Sequence, residues 1–164
     1  MRDMNVSLQM FGLYQGLLSL VFSVTSLYSF KMIEYFGTKK CFYFGLWLSW
    51  IAILSMVILG VLDLNDPLLV TISLAAASCG VVFPITILYP MSLAISGNAK
   101  GRMASITQAL RLFMTAVGLQ IISYYYVGTF FRVAIILGII LGLGLYGAWR
   151  MDRKKYINWS ITNA

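Results

Sequence analysis

The chain has 164 residues, of which 60% are hydrophobic and 10% charged, and its net charge is +7. A soluble domain carries about 25% charged residues to wet its surface, so this composition excludes an ordinary soluble enzyme and puts much of the surface in lipid. The positive charge does not form a nucleic-acid footprint, because the cations lie in short clusters between long apolar runs rather than along one basic helix or stripe.

A helix that crosses ~30 Å of hydrocarbon needs about 20 apolar residues. Five stretches qualify, over 8–30, 41–62, 68–96, 103–127 and 133–149, and residues 1–164 read as a single membrane domain, all-α and polytopic. The start carries Arg2 and Asp3 and then an apolar run without a cleavage pattern. That run is expected to be the first span rather than a leader.

The first span holds Gln15, Ser19, Ser23, Thr25 and Ser26, with a Gly12-x-x-x-Gly16 spacing that lets helices approach closely. A basic loop over 31–40 follows, with Lys31, Lys39 and Lys40. The second span has only Ser49 and Ser55 as interior polar residues, and the loop from Asp63 to Pro67 has no cation. The third span holds Thr71, Ser73, Ser78 and Thr86. It also carries Pro84 and Pro90, which remove backbone hydrogen bonds and supply a bend. A loop with Lys100 and Arg102 leads to the fourth span, the most polar, with Ser105, Thr107, Gln108, Arg111, Thr115, Gln120 and Ser123. The fifth is apolar from Val133 to Ala148 apart from Tyr146, and carries Gly138-x-x-x-Gly142, Gly144 and Gly147. Trp47, Trp50, Tyr124, Tyr125, Tyr126 and Trp149 fall mostly near span ends, as interfacial anchors do.

Short loops keep Lys and Arg on the cytoplasmic side. Nine of the 12 cations lie in the first loop, the third loop and the tail, the last through Arg150, Arg153, Lys154 and Lys155. The expected topology therefore has the N-terminus outside and the C-terminus in the cytoplasm. Five spans with an outside N-terminus and no leader lead to the expectation of missing upstream sequence. Spans apolar on every side are expected to face lipid, so the second and fifth read as peripheral and the first, third and fourth as inward-facing.

No catalytic constellation is present. Asp3, Glu34, Asp63, Asp66 and Asp152 all lie in loops or ends, there is no histidine, and Cys41 and Cys79 have no metal-ligand spacing. No enzyme activity, cofactor or metal is expected. Arg111 stands out because it lies nine residues beyond Arg102, about 13 Å deeper in a regular helix. A cation there costs at least ~2.5–3.5 kcal/mol on insertion scales, which makes Arg111, with Gln108 three residues before it, a candidate contact for substrate or for another helix.

The 31–40 loop resembles the basic loop of a major facilitator superfamily half, Gly-x-x-x-Asp-Arg-x-Gly-Arg-Lys. Glu34 stands at the acidic position, Gly37 at the second glycine and Lys39 at the final basic position, while Phe30 and Tyr35 depart from the first glycine and the arginine. Gly80 to Pro84, continuing through Gly101, Ala104 and Ser105 to Arg111, is similar to helices ten and eleven of the bicyclomycin/chloramphenicol-resistance branch. Asn5 to Phe11, with Ser7, resembles the segment before helix eight. The resemblance implies that the five spans correspond to helices eight to twelve of a drug-efflux antiporter. Such a protein exports a small, partly apolar substrate against protons across a bacterial inner membrane and confers antibiotic resistance. It further implies Lys31, Glu34, Gly37, Lys39 and Lys40 as a gating loop, Pro84 as the bend of helix ten, Gly101, Ala104 and Ser105 as a helix-start motif, and Gln108 and Arg111 as substrate or interface residues. The expected partners are the lipid bilayer, protons, the substrate and a separate chain supplying the N-terminal helices, without which transport is not expected; nucleic acid is not among them. The competing reading is a stand-alone five-span scaffold or assembly protein.

Overall fold

The computed structural model describes residues 8–62, 66–125, 130–153 and 157. Arg2, Asp3, Asn5, Ser7, Asp63, Tyr126, Lys154 and Lys155, named above, lie outside them. The described residues form five helices in succession: α1 (Leu8–Phe36), α2 (Thr38–Val61), α3 (Pro67–Ile95), α4 (Lys100–Tyr125) and α5 (Phe130–Arg153), with a 3-10 turn at Gly97–Ala99 before α4. All five are long and apolar enough to cross a membrane, and the chain is an all-α polytopic bundle. At ~1.5 Å per residue the helices measure about 36–44 Å, so they exceed the ~30 Å hydrocarbon layer and either tilt or project from it.

The loop expected over 31–40 is reduced to one residue. α1 continues through Lys31 and Glu34 to Phe36, α2 begins at Thr38, and Gly37 alone turns the chain with φ 87°. A side chain is strained at that φ, and glycine adopts it freely. The Gly37 N–H donates to the Ile33 carbonyl at 2.9 Å, and the Cys41 thiol donates to the Met32 carbonyl at 3.3 Å, closing the α1–α2 corner. At the start of α3, Asp66 accepts the Leu68 N–H at 3.0 Å, and Pro67 occupies the first helical position, where its missing N–H costs nothing.

The expectation that α2 is peripheral is overturned. α2 lies at the centre, packed against α3 on one side and α5 on another. A helix apolar on every side is equally at home enclosed by other helices, and close approach decides the matter. A β-carbon on Gly45 would sit 2.7 Å from the Gly80 carbonyl oxygen, and one on Gly80 would sit 2.6 Å from the Ser49 backbone nitrogen. Gly45, Ser49 and Gly80 thus let α2 and α3 meet backbone to backbone. Phe42, Leu46, Phe83, Ile87 and Met91 fill one core around this contact, and Ala52, Met56, Val70, Ala77 and Ala134 fill a second.

α5 runs antiparallel to α2 at the edge of the bundle. Gly60 faces Phe131, Gly138 faces Ile53, and Gly142 faces Trp50, where β-carbons on the glycines would lie 3.0, 3.4 and 3.6 Å from those residues. The Tyr43 hydroxyl donates to the Asp152 carboxylate at the far end of the same interface. Thus Gly138-x-x-x-Gly142 is a packing face, whereas Gly12, Gly16, Gly144 and Gly147 face open space.

The inward position expected of α1 and α4 is also corrected within this chain. α1 meets α3, with Thr25 Oγ1 3.2 Å from Cys79 Sγ, but leaves most of its circumference uncovered. α4 has no buried residue. Most of their serine and threonine hydroxyls do not require burial in protein, because they bond to their own helix. Ser19 donates to Gln15, Ser23 to Ser19, Thr107 to Met103 and Thr115 to Arg111, all at backbone carbonyls 2.8–3.1 Å away.

Candidate functional site

The up-down order of the helices collects seven of the nine described cations at one end, with Arg111 at mid-span and Arg132 at the opposite end. Lys31 closes α1, Lys39 and Lys40 open α2, Lys100 and Arg102 open α4, and Arg150 and Arg153 close α5. The Tyr43–Asp152 hydrogen bond joins two of these helix ends. Beside it the Arg153 guanidinium lies 4.8 Å from the centre of the Trp149 ring, a cation–π distance.

A cavity of about 850 Å³ opens between α3, α4 and α5 in the half of the bundle nearer this basic end. Its walls are mainly apolar, with Val81, Ile85 and Leu88 from α3 and Ile140, Leu141 and Leu145 from α5. The polar side chains are few: Tyr89 and Ser92 from α3, and Thr107, Gln108 and Arg111 from α4. Ser92 and Thr107 already donate to carbonyls of their own helices, Tyr89 and Met103, at 2.7 and 2.8 Å. Among the described residues no group hydrogen-bonds or ion-pairs with the side chains of Gln108 or Arg111. These two offer free donors to whatever enters.

Arg111 lies about 16 Å along α4 from Lys100, near the middle of the span. Gln108 and Arg111 share a helix face because they are three residues apart. Glu34, Asp66 and Asp152, the described acids, sit at helix ends. None of them reaches the guanidinium.

Pro84 also lines this cavity. It leaves the Gly80 carbonyl without its intrahelical donor. That carbonyl does not point into the cavity: it stands over the α-carbon of Gly45, where a β-carbon would be 2.7 Å away. The arrangement suits a weak Cα–H···O contact, so the break in α3 serves the α2 interface and the Pro84 ring serves the cavity wall.

The structure therefore brings together Pro84, Gln108 and Arg111 from the residues singled out in the sequence. Lys31, Glu34, Gly37, Lys39 and Lys40 form the α1–α2 corner at the basic end, apart from the cavity. Gly101, Ala104 and Ser105 lie in the first turns of α4, with the Ser105 hydroxyl bonded to the Gly101 carbonyl at 3.0 Å and open space around Gly101. Sequence reasoning missed the α5 wall and Ile157, which closes against the cavity and the core beyond the end of α5. Apolar wall residues carry no chemical signature. The only signal was Gly144, a small residue that leaves room in the wall.

Among known proteins, no family model matches the chain, and no curated protein and no solved structure is similar to it.

Proposed function

We propose that this chain is one helical bundle of a proton-coupled efflux transporter of the major facilitator type, working with further helices supplied by another polypeptide segment or chain. The observation that carries the reading is the cavity itself: a space of about 850 Å³ inside the membrane span, mainly apolar, into which Gln108 and Arg111 bring side chains without partners among the described residues, beside the proline-broken α3. Transport sites in such proteins lie near the bilayer midplane between moving bundles, where backbone is broken and a few polar groups converge. The uncovered faces of α1 and α4 support a second bundle meeting them there. The basic end faces the cytoplasm on this reading, which places the N-terminus outside and the C-terminus inside a bacterial inner membrane. The substrate is a small, partly apolar molecule, and protons drive its export.

The test is accumulation of radiolabelled chloramphenicol and nalidixate, a neutral and an anionic small amphiphile, in cells that express the chain from its native locus with the adjoining reading frames. The reading expects lowered accumulation that a protonophore abolishes and that Arg111→Ala also abolishes. Unchanged accumulation in all strains would reject the transporter and favour the five-span scaffold.

A further inference from the structure

Among the described residues the cavity has one formal charge in its wall and an unusual balance around it. Arg111 brings a cation to mid-span, Gln108 adds amide donors on the same face, and no described acid pairs with the guanidinium. The remaining lining is overwhelmingly apolar. A cation in such surroundings attracts an anion and repels a second cation, because the low-dielectric walls focus its field into the cavity. A guanidinium also presents a planar fork of donors that matches the two oxygens of a carboxylate.

We propose that this cavity binds a small amphipathic monoanion, with its carboxylate on Arg111 and Gln108 and its apolar body between α3 and α5. The inference deepens the transporter reading by naming the ligand class of the same site, and binding itself requires no transport. Two features set the size and source of the ligand. A space of about 850 Å³ is on the scale that encloses a single small molecule. Arg111 lies about 16 Å inside α4 from Lys100, too deep for the headgroup of a phospholipid standing in the bilayer. The occupant is therefore a small carboxylate amphiphile that enters whole. Selectivity follows from the same geometry: a neutral analogue keeps the apolar contacts and loses the charge-assisted bonds, and a cationic analogue meets the guanidinium as a like charge.

The experiment uses the full chain in nanodiscs of phosphatidylcholine, with saturable binding of tritiated octanoate, octanamide and octylamine measured against empty discs. Octanoate is expected to bind on the order of ten- to hundredfold more tightly than octanamide, the range of a charge-assisted hydrogen bond, and octylamine to show no saturable binding. Arg111→Gln is expected to erase the preference for octanoate over octanamide, while Arg111→Lys keeps part of it. Filling the wall with Gly144→Phe is expected to remove binding of both compounds. Equal binding of octanoate and octanamide, an unchanged preference in Arg111→Gln, or absence of saturable binding would overturn the proposal. So would competition by phosphatidylglycerol in the discs as effective as that by unlabelled octanoate, which would make a lipid headgroup the ligand. These outcomes leave the transporter reading to the accumulation assay, because no step here depends on a second bundle or a proton gradient.

Discussion

Replacing Gly80 by alanine probes the contact on which the bundle is built. The new β-carbon would lie 2.4 Å from Ser49 Oγ and 2.6 Å from the Ser49 backbone nitrogen. Rotation of the serine side chain relieves the first clash but not the second, so α2 and α3 must separate by about 1 Å to restore ordinary contact distances. A gap of that size forfeits about a quarter to a half of the dispersion attraction at each affected contact, here including Phe42, Leu46, Phe83 and Ile87. Overpacking of this kind costs about 1–3 kcal/mol. The helix preference for alanine over glycine opposes it by at most ~1 kcal/mol. At the middle of its range the clash wins, about 2 against 1 kcal/mol, a net loss of about 1 kcal/mol or roughly 5-fold in the folded-to-unfolded ratio. Reversible unfolding in mixed micelles, followed by tryptophan fluorescence and circular dichroism, measures it. Gly147→Ala is the control, since nothing lies within 4 Å of its β-carbon position, and it should be neutral or stabilising. If Gly80→Ala proves as stable as the parent chain, or Gly147→Ala is equally damaging, the close α2–α3 approach is refuted.

Other outcomes follow from single residues. Gly37→Ala forces a side chain into φ 87° and ψ 147°, a region that only glycine occupies without strain, and should cost about 1–3 kcal/mol in the same unfolding assay. Asp66→Ala removes the cap on the Leu68 N–H and should lower stability by about 1 kcal/mol, whereas Asp66→Asn should keep most of it. Gly144→Phe enters open space at the cavity wall and should leave the unfolding midpoint unchanged, unlike Gly80→Ala. Tyr43→Phe removes the bond to Asp152 at the basic end and should cost about 0.5–1.5 kcal/mol, with no such loss when Asp152 is already changed to Ala.

The spans were legible because lipid imposes a length and a composition on any helix that crosses it, and no tertiary detail alters that demand. Their arrangement was much less legible. α2 carries almost no polar side chain, so its composition is equally suited to lipid and to a helical interior, and only the pairing of Gly45 and Ser49 with Gly80 enclosed it. That pairing was invisible without knowing which helices meet. The hydroxyl-rich faces of α1 and α4 misled for a related reason, since serine and threonine return their protons to the preceding turn and have no need of a neighbour. Gln108 and Arg111 cannot do this, which is why they marked the cavity. Pro84 was recognisable as a break, but the direction of the freed Gly80 carbonyl depended on Gly45, 35 positions away in the chain. The basic corner was read as a loop because its charges resemble loop charges. The chain turns there in a single residue because Gly37 adopts a backbone conformation closed to its neighbours.

The central claim is that Gln108 and Arg111 line a solvent-reachable cavity within the membrane span, while neighbouring positions on α4 face away from it. Thiol labelling tests it most directly, with Cys41 and Cys79 replaced by alanine and a single cysteine placed at Gln108 or at Leu110, which is exposed on the chain surface but absent from the cavity wall. The account predicts that a small anionic methanethiosulfonate modifies Gln108→Cys readily in intact proteoliposomes and leaves Leu110→Cys unmodified. Equal modification of both positions, or of neither, would contradict it.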